Sequence, residues 1–382
     1  MAKKTKKAVL MLENGKKFYG KLAGSNYMCV GEIIFNTSMT GYQEIITDPS
    51  YFNQIVLLTS PHIGNTGINC EDNESNKIHL SGLILKNITK HPSNYKSKIN
   101  LNKFLKKNNI ISIYDIDTRK LTKIIRKFGT KIGCIFENKK KNYKKALKKI
   151  ISFKNIIKEK KIKKISTKYI YIYKNLFKKK HKENKNSILN VIVYDYGIKN
   201  SILNILSNNN CKLIIVPSNT KIKEILKYSP DGILLSNGPG DPNEYKEESM
   251  IIKKILKKTK IPMLGICLGH QLLSLSSGMK IIKMKFGHHG SNHPVKELNT
   301  NKILITSQNH NFSVRMNKKI NKKITVTHVS LLDNTIQGIS IKNRNVISFQ
   351  GHPEGNPGPN DANSIFQKFI RIMIKNKKKL EK

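Results

Sequence analysis

Residues Pro262-Met-Leu-Gly-Ile-Cys-Leu-Gly-His-Gln271 place one cysteine between two glycines, at the join of an apolar run and a stretch with helical spacing. Gly265-Ile-Cys267-Leu-Gly269 has the register of a nucleophile elbow, G-x-C-x-G in place of G-x-S-x-G. Small neighbours are needed because the turn is tight and the nucleophile must stand proud of it. Cys267 would open the following helix, where the dipole and free N–H groups favour a thiolate over a thiol. An ordinary cysteine, with a pKa of about 8.5, is only a few per cent thiolate at neutral pH.

Two further segments could serve that nucleophile. Leu235-Ser-Asn-Gly-Pro-Gly-Asp-Pro242 follows the preceding apolar run. Gly238 and Gly240 let the backbone pass close to a ligand and turn an N–H toward it. This loop and the Leu268 N–H could together form an oxyanion hole, each donor contributing about 3 kcal/mol. Val346-Ile-Ser-Phe-Gln-Gly-His-Pro-Glu354 then delivers His352 from an apolar run, with Glu354 two residues on. In extended chain, i and i+2 point to one side, and Pro353 favours an extended residue before it. His352 could act as base while Glu354 orients it.

These segments must sit on a framework. From residue 188 onward, apolar runs at 188–194, 212–216, 231–235 and 261–264 alternate with helical spacing at 198–206, 221–226, 245–257 and 268–275. That alternation predicts an α/β domain with a parallel sheet covered on both faces. Ligands bind beyond the carboxyl ends of such strands, where the three chemical segments fall. Residues 1–137 differ: short runs at 8–12, 16–22, 31–36, 54–59 and 80–85, separated by Gly, Asn and Pro, predict a smaller, sheet-rich N-terminal domain. Helices are expected at 99–107 and after Asp117 or Thr118, the second ending at Gly129. Between the two domains lies a lysine-rich linker region, 138–187. Within it, residues 139–182 hold nineteen lysines and one acid, Glu159. Tyr143, Leu147, Ile150 and Ile151 suggest a solvated helix there, and Tyr169-Ile-Tyr-Ile-Tyr173 a short strand.

The net charge of +47 would suit a polyanion partner. However, only five of the 71 basic residues are arginine, there is no tryptophan, and the lysines are spread along the chain. Nucleic-acid sites favour arginine forks and stacked aromatics. The charge therefore reads as a Lys-, Ile- and Asn-rich compositional bias on solvated surfaces. No run reaches the roughly 18 apolar residues of a membrane span. Residues 8–12 are too short an apolar run, behind the basic start, to make a secretory signal. Five cysteines without a close pair argue against disulfides and fit a reducing, cytoplasmic setting. His288, His289 and His293 lack a nearby acid or cysteine, and no metal is expected.

G-x-C-x-G-x-Q, S-N-G-P-G-D-P and G-H-P-E, in this order, resemble the class I (triad) glutamine amidotransferases. Thr40–Tyr51, Pro61–Gly67, Asp115-Ile-Asp-Thr-Arg-Lys-Leu-Thr122, Lys285–Pro294 and Gln350–Ala362 narrow the resemblance to the glutamine-hydrolysing small subunit of carbamoyl-phosphate synthetases. It covers about 8–135 and 188–375. The resemblance implies a glutamyl thioester on Cys267, with His352 as acid and base and Glu354 orienting it. It also implies glutamine contacts from Ser50, Gly238, Gly240, Leu268, Gln271, Asn309, Asn311 and Phe312, with Ser50 reaching the site from the first domain. Asn311 stands where the family has glycine; asparagine tolerates positive φ better than most residues. No cofactor is implied in this chain. ATP and Mg are implied on a large, ATP-using partner subunit, which would receive ammonia through a tunnel and serve arginine and pyrimidine synthesis. Alternatives are another triad amidotransferase subunit, a free-standing cysteine hydrolase, or a polyanion-binding protein on a decayed amidotransferase fold.

Overall fold

Leu10 and Leu12 point to one side of their strand and Val9 and Met11 to the other, and both pairs are buried. That alternation organises the first of two units in this computed structural model, which describes residues 5–156, 161–174, 188–316 and 323–380. Chain contacts define unit 1 as Met1–Glu159 with Lys285–Gly290, and unit 2 as Lys160–Met284 with Ser291–Lys382.

Unit 1 is built on a closed seven-stranded barrel. Its strands are β1 (Lys7–Leu12), β2 (Lys17–Gly24), β3 (Cys29–Asn36), β4 (Gln54–Leu58), β5 (Gly82–Ile84), β6 (Ile111–Tyr114) and β7 (Lys131–Glu137). They close in the order β1-β2-β6-β5-β4-β3-β7. The β3–β4–β5–β6 pairs are parallel and the others antiparallel. Closure removes the exposed sheet edges that invite aggregation. Leu10, Ile33, Ile55, Ile84, Ile113 and Ile135 form one cluster with Leu121 and Ile125 of a helix. Helix α1 (Tyr42–Thr47) and helix α2 (Leu101–Lys107) cover a second face, with Ile45, Ile46, Leu101 and Leu105 against Ile34, Val56 and Leu83.

Helix α3 (Thr118–Phe128) supplies Leu121 and Ile125. As its sequence predicts, Asp117 Oδ1 accepts the Lys120 N–H at 2.8 Å and the helix stops at Gly129, φ 82°. Such a cap contributes about 1 kcal/mol.

Helix α4 (Lys140–Ile156) occupies the lysine-rich stretch. It is not solvated all round. Ala146, Ile150 and Phe153 are buried against Val9, Met11, Cys134 and Phe136. The stripe expected from Leu147 and Ile151 is displaced by one position, and both residues are exposed. Beyond Glu159 the same stretch belongs to unit 2: Ile162 of α5 (Ile162–Ile165) is in its core, and β8 (Tyr171–Ile172) pairs antiparallel with Ile214 and Ile215. The remainder of the expected linker, 175–187, lies outside the described residues.

Unit 2 centres on parallel strands β9 (Leu189–Asp195), β10 (Cys211–Pro217), β11 (Gly232–Leu235) and β12 (Met263–Ile266). Its sheet is longer and more mixed than the sequence predicts. Ten strands run β14-β13-β15-β16-β17-β12-β11-β9-β10-β8. They include β13 (Lys280–Glu297), β14 (Ile303–Arg315), β15 (Ile324–Ser330), β16 (Ile336–Ile341) and β17 (Val346–Phe349). β17 is parallel to β12, and antiparallel pairing begins at β16. Helices flank the parallel part. Strand β9 alternates Val191 and Val193 toward α6 (Asn200–Asn208) and α10 (Ser364–Leu380). Ile192 and Tyr194 face α7 (Ile222–Leu226), α8 (Lys246–Lys258) and α9 (Leu268–Ser276). Among the described residues, no helix is long and apolar enough to cross a membrane.

Candidate active site

Strand β12 is buried throughout, and the chain turns sharply at its end. Cys267 carries that turn at φ 52°, ψ −104°, outside the common regions for an L-residue, and α9 begins at Leu268. A side chain at Gly265 would put its Cβ 2.7 Å from the Gly269 carbonyl oxygen, so strand and helix approach closely only through glycine. A Cβ at Gly269 would strike the Leu235 carbonyl. The turn is pinned from both sides. The Cys267 N–H donates to Phe349 O at 2.9 Å, and the Gly269 N–H to Ser236 O at 3.0 Å. The Cys267 backbone is thereby tied to the strand that leads to His352 and to the loop after β11.

The Cys267 thiol donates to the Asn309 carbonyl at 3.5 Å, and Gln350 Nε2 lies 3.9 Å from its sulfur. The Leu268 N–H opens α9, whose first-turn donors have no acceptor within the helix. Gly240 has φ 103°, and a Cβ at Gly238 would collide with the Tyr196 carbonyl. The loop 236–241 therefore needs glycine for two reasons, a left-handed backbone at one position and a close approach at the other.

His352 is held by its backbone, whose N–H donates to Ser307 O at 2.9 Å. Its Nδ1 lies 2.7 Å from Glu354 Oε1, the i, i+2 pairing the sequence predicts. Burial works against the charged imidazole. The Glu354 carboxylate, with the neighbouring Cys267, outweighs it and raises the His352 pKa to about 10. Nε2 is buried and makes no hydrogen bond in the resting geometry. A second cation steadies the carboxylate. Lys199 Nζ lies 2.8 Å from the same Glu354 oxygen and also donates to the Asn356 carbonyl. Burial pushes the Glu354 pKa up, but Lys199 and His352 together bring it down to about 2.

Behind the cysteine, Gln271 Nε2 donates to Phe312 O at 3.0 Å and to Gln350 Oε1 at 3.1 Å. His310 bridges the same segment, with Nδ1 2.8 Å from Phe312 O and Nε2 3.1 Å from Gln308 Oε1. Asn309, Asn311 and Phe312 all lie in β14. Asn311 is not among the residues with positive φ, so this position does not call on glycine's freedom. Unit 2 thus contains every expected site residue but one. Ser50 belongs to unit 1, buried in a 3₁₀ turn where Asp48 Oδ1 accepts its N–H at 2.8 Å. Among the described residues no group of three or more His, Cys, Asp or Glu side chains could hold a metal.

Two family models match the chain. The carbamoyl-phosphate synthase small chain, CPSase domain, matches residues 10–135, and the class-I glutamine amidotransferase matches 192–372. The carbamoyl phosphate synthase small chain of Buchnera aphidicola subsp. Schizaphis graminum is 51% identical over 372 residues, 96% of each chain. That of Wigglesworthia glossinidia brevipalpis is 52% identical, again over 96% of each. The small chain of Photorhabdus laumondii is 46% identical over 374 residues, also 96% of each. The chain belongs to the carbamoyl phosphate synthase small chain family.

The carbamoyl phosphate synthase small chain fold supplies residues here that motif reading passed over. Lys199 bears on the carboxylate and Gln350 on the cysteine, while Gln308 and His310 brace the segment that carries Phe312. A signal for Lys199 existed in the sequence: it lies just past the carboxyl end of β9, on the sheet edge where ligands of parallel sheets bind. Gln308 and His310 stand in the same run, Gln308-Asn-His-Asn-Phe312, that gave the expected Asn309, Asn311 and Phe312, but their antiparallel strand was not predicted and no role was read for them.

Proposed function

We propose that this chain is the glutamine-hydrolysing subunit of a carbamoyl phosphate synthase, working in the cytoplasm on the side-chain amide of glutamine. The observation that carries the reading is Cys267 at a strained strand-to-helix turn, beside a histidine held at 2.7 Å by a buried carboxylate. Cys267, as thiolate, attacks the amide carbon. A carbon–sulfur bond forms, and the carbonyl oxygen takes up the negative charge within reach of the Leu268 N–H and the loop at Gly238 and Gly240. His352 carries a proton at neutral pH, so Nε2 can give it to the amide nitrogen as the carbon–nitrogen bond breaks. Ammonia leaves and a glutamyl thioester remains. Nε2, now neutral, takes a proton from water; the hydroxide displaces sulfur, releasing glutamate.

Ser50, Gln271, Asn309, Asn311 and Phe312 complete the proposed glutamine contacts. Ammonia then passes to a large partner subunit that uses ATP and Mg with bicarbonate, feeding arginine and pyrimidine synthesis. Full-length family resemblance supports this pairing. The test is glutamate release by the purified chain, with and without the large subunit, beside Cys267→Ser. Release that depends on Cys267 and rises with the partner is expected. No release even in the complex would overturn the reading.

A further inference from the structure

The Asp115–Thr122 motif is not used by the glutamine site, yet it begins one wall of an open cavity of about 370 Å³ in unit 1. Asp115 and Asp117 are structural: Asp115 pairs with Lys21 at 2.9 Å, and Asp117 caps α3. The following residues turn outward. Leu121 and Ile125 are buried in the barrel core with Ile124 half-buried beside them, so Lys120, Lys123 and Lys127 take the exposed side of α3. Lys120, Lys123 and Lys127 line the cavity with Arg119, and Lys16, from the turn between β1 and β2, closes it from across. Asp117 is the single acid in the lining, and its Oδ1 already holds the helix N-terminus. None of the five cations makes an ion pair among the described residues. At one end the lining turns apolar, with Ile124 and an exposed Phe128 ring over which Lys127 Nζ sits at 5.3 Å.

Five cations and one carboxylate leave four uncompensated positive charges around one concavity. Converging cations repel one another, and a multiply charged anion relieves that repulsion far better than a single carboxylate does. A diphosphate carries about three negative charges near neutral pH and presents the oxygens that an arginine fork and lysine ammoniums bind. We propose that this cavity is a binding site for a diphosphate-bearing small molecule, with Arg119, Lys120, Lys123, Lys127 and Lys16 on the phosphates and Phe128 against whatever the diphosphate is attached to.

The experiment titrates inorganic pyrophosphate and, separately, adenosine 5′-diphosphate into the full chain by calorimetry at about 0.15 M salt, where long-range surface attraction is screened. Lys123→Glu removes a cavity cation. Lys148→Glu makes the same charge change on exposed α4. Circular dichroism checks that both remain folded, and Arg119→Gln serves as a second cavity variant. One site per chain is expected, weakened about tenfold or more by Lys123→Glu and less than about twofold by Lys148→Glu. Tighter binding of the nucleotide, with the gain lost in Phe128→Ala, would identify a nucleotide as the source. Equal affinities would identify free diphosphate. Equal weakening by the two lysine variants, absence of a saturable site, or stronger binding of an oligoglutamate peptide than of pyrophosphate would each overturn the proposal.

Discussion

Lys199 Nζ stands 2.8 Å from Glu354 Oε1, and both side chains are almost wholly withdrawn from solvent. The two residues are 155 positions apart in sequence. The same oxygen meets His352 Nδ1 at 2.7 Å, while Oε2 has no hydrogen-bond partner. A carboxylate this deeply buried would take a proton if left alone. Lys199 keeps it ionised, and the ionised form is the one that can orient a protonated His352.

Lys199→Met removes the cation and keeps most of the side-chain volume. An uncompensated buried charge then costs about 3–5 kcal/mol at neutral pH. The loss depends on pH with a definite sign. Glu354 has its pKa lowered from 4.5 to about 2 in the folded state, so its contribution is fully present above 4.5 and disappears as pH falls toward 2. Denaturant unfolding at several pH values should show the gap between wild type and variant narrowing below pH 4.5. A gap that stays constant down to pH 3 would show that Glu354 is not what Lys199 stabilises.

Substituting His352 and Glu354 in turn separates their roles. His352→Asn removes the proton carrier and should lower kcat for glutamate release by about 10³-fold or more, whereas Glu354→Gln should cost one to two orders of magnitude less. Glu354 is the strongest influence raising the His352 pKa. In Glu354→Gln the imidazolium therefore loses its proton at lower pH, and the alkaline limb of the kcat profile moves down. An alkaline limb unmoved in Glu354→Gln would mean that His352 does not act as the acid.

The parallel half of unit 2 was readable because each of its strands is an unbroken apolar run, as buried strands must be, and each helix keeps its own period. The i, i+2 pairing of His352 and Glu354 followed from an extended chain and Pro353. The antiparallel extension was not readable. Residues 280–297 and 303–315 are rich in polar side chains with no long unbroken apolar run, and they fold as strands through pairing with neighbours distant in sequence. Lys199 was marked only by its place just past the end of β9, and composition masked that mark: it is one buried lysine among many solvated ones until the fold brings Glu354 to it. Strand β6 was lost between the two helices that flank it, although Ile111 and Ile113 are both buried.

Asn311 occupies a position where the family resemblance leads one to expect glycine, yet its backbone is that of an ordinary strand residue. Asn311→Gly therefore gains no conformational relief. It should lower stability by about 0.5–1 kcal/mol, the usual cost of glycine inside regular structure. If only the backbone at 311 meets glutamine, KM should change by less than about threefold while thermal stability falls. A large drop in KM would instead mean that the asparagine side chain obstructs the substrate.

His270 and His328 set how the fold responds to acid. His270 is fully buried on α9, with Nδ1 2.8 Å from Ser348 Oγ and no partner for Nε2. His328 packs edge-on against Phe349, ring centres 5.2 Å apart, with Nδ1 2.9 Å from Thr327 Oγ1. Burial lowers their pKa values from 6.5 to about 3 and about 4. Both are neutral when folded, and the unfolded chain binds more protons below pH 6.5. Stability is then fully present above 6.5 and declines on acidification, by roughly 1 kcal/mol per pH unit for each histidine. His352 acts in the opposite sense and in another window: its raised pKa makes its contribution fade as pH climbs from 6.5 toward 10. Urea unfolding between pH 7 and pH 5 should therefore show a steep loss of stability, and His270→Gln should reduce the slope by about the share of one histidine. An unchanged slope in that variant would mean that His270 is already protonated in the folded protein, or that water reaches it, and its place behind the Cys267 turn would have to be reconsidered.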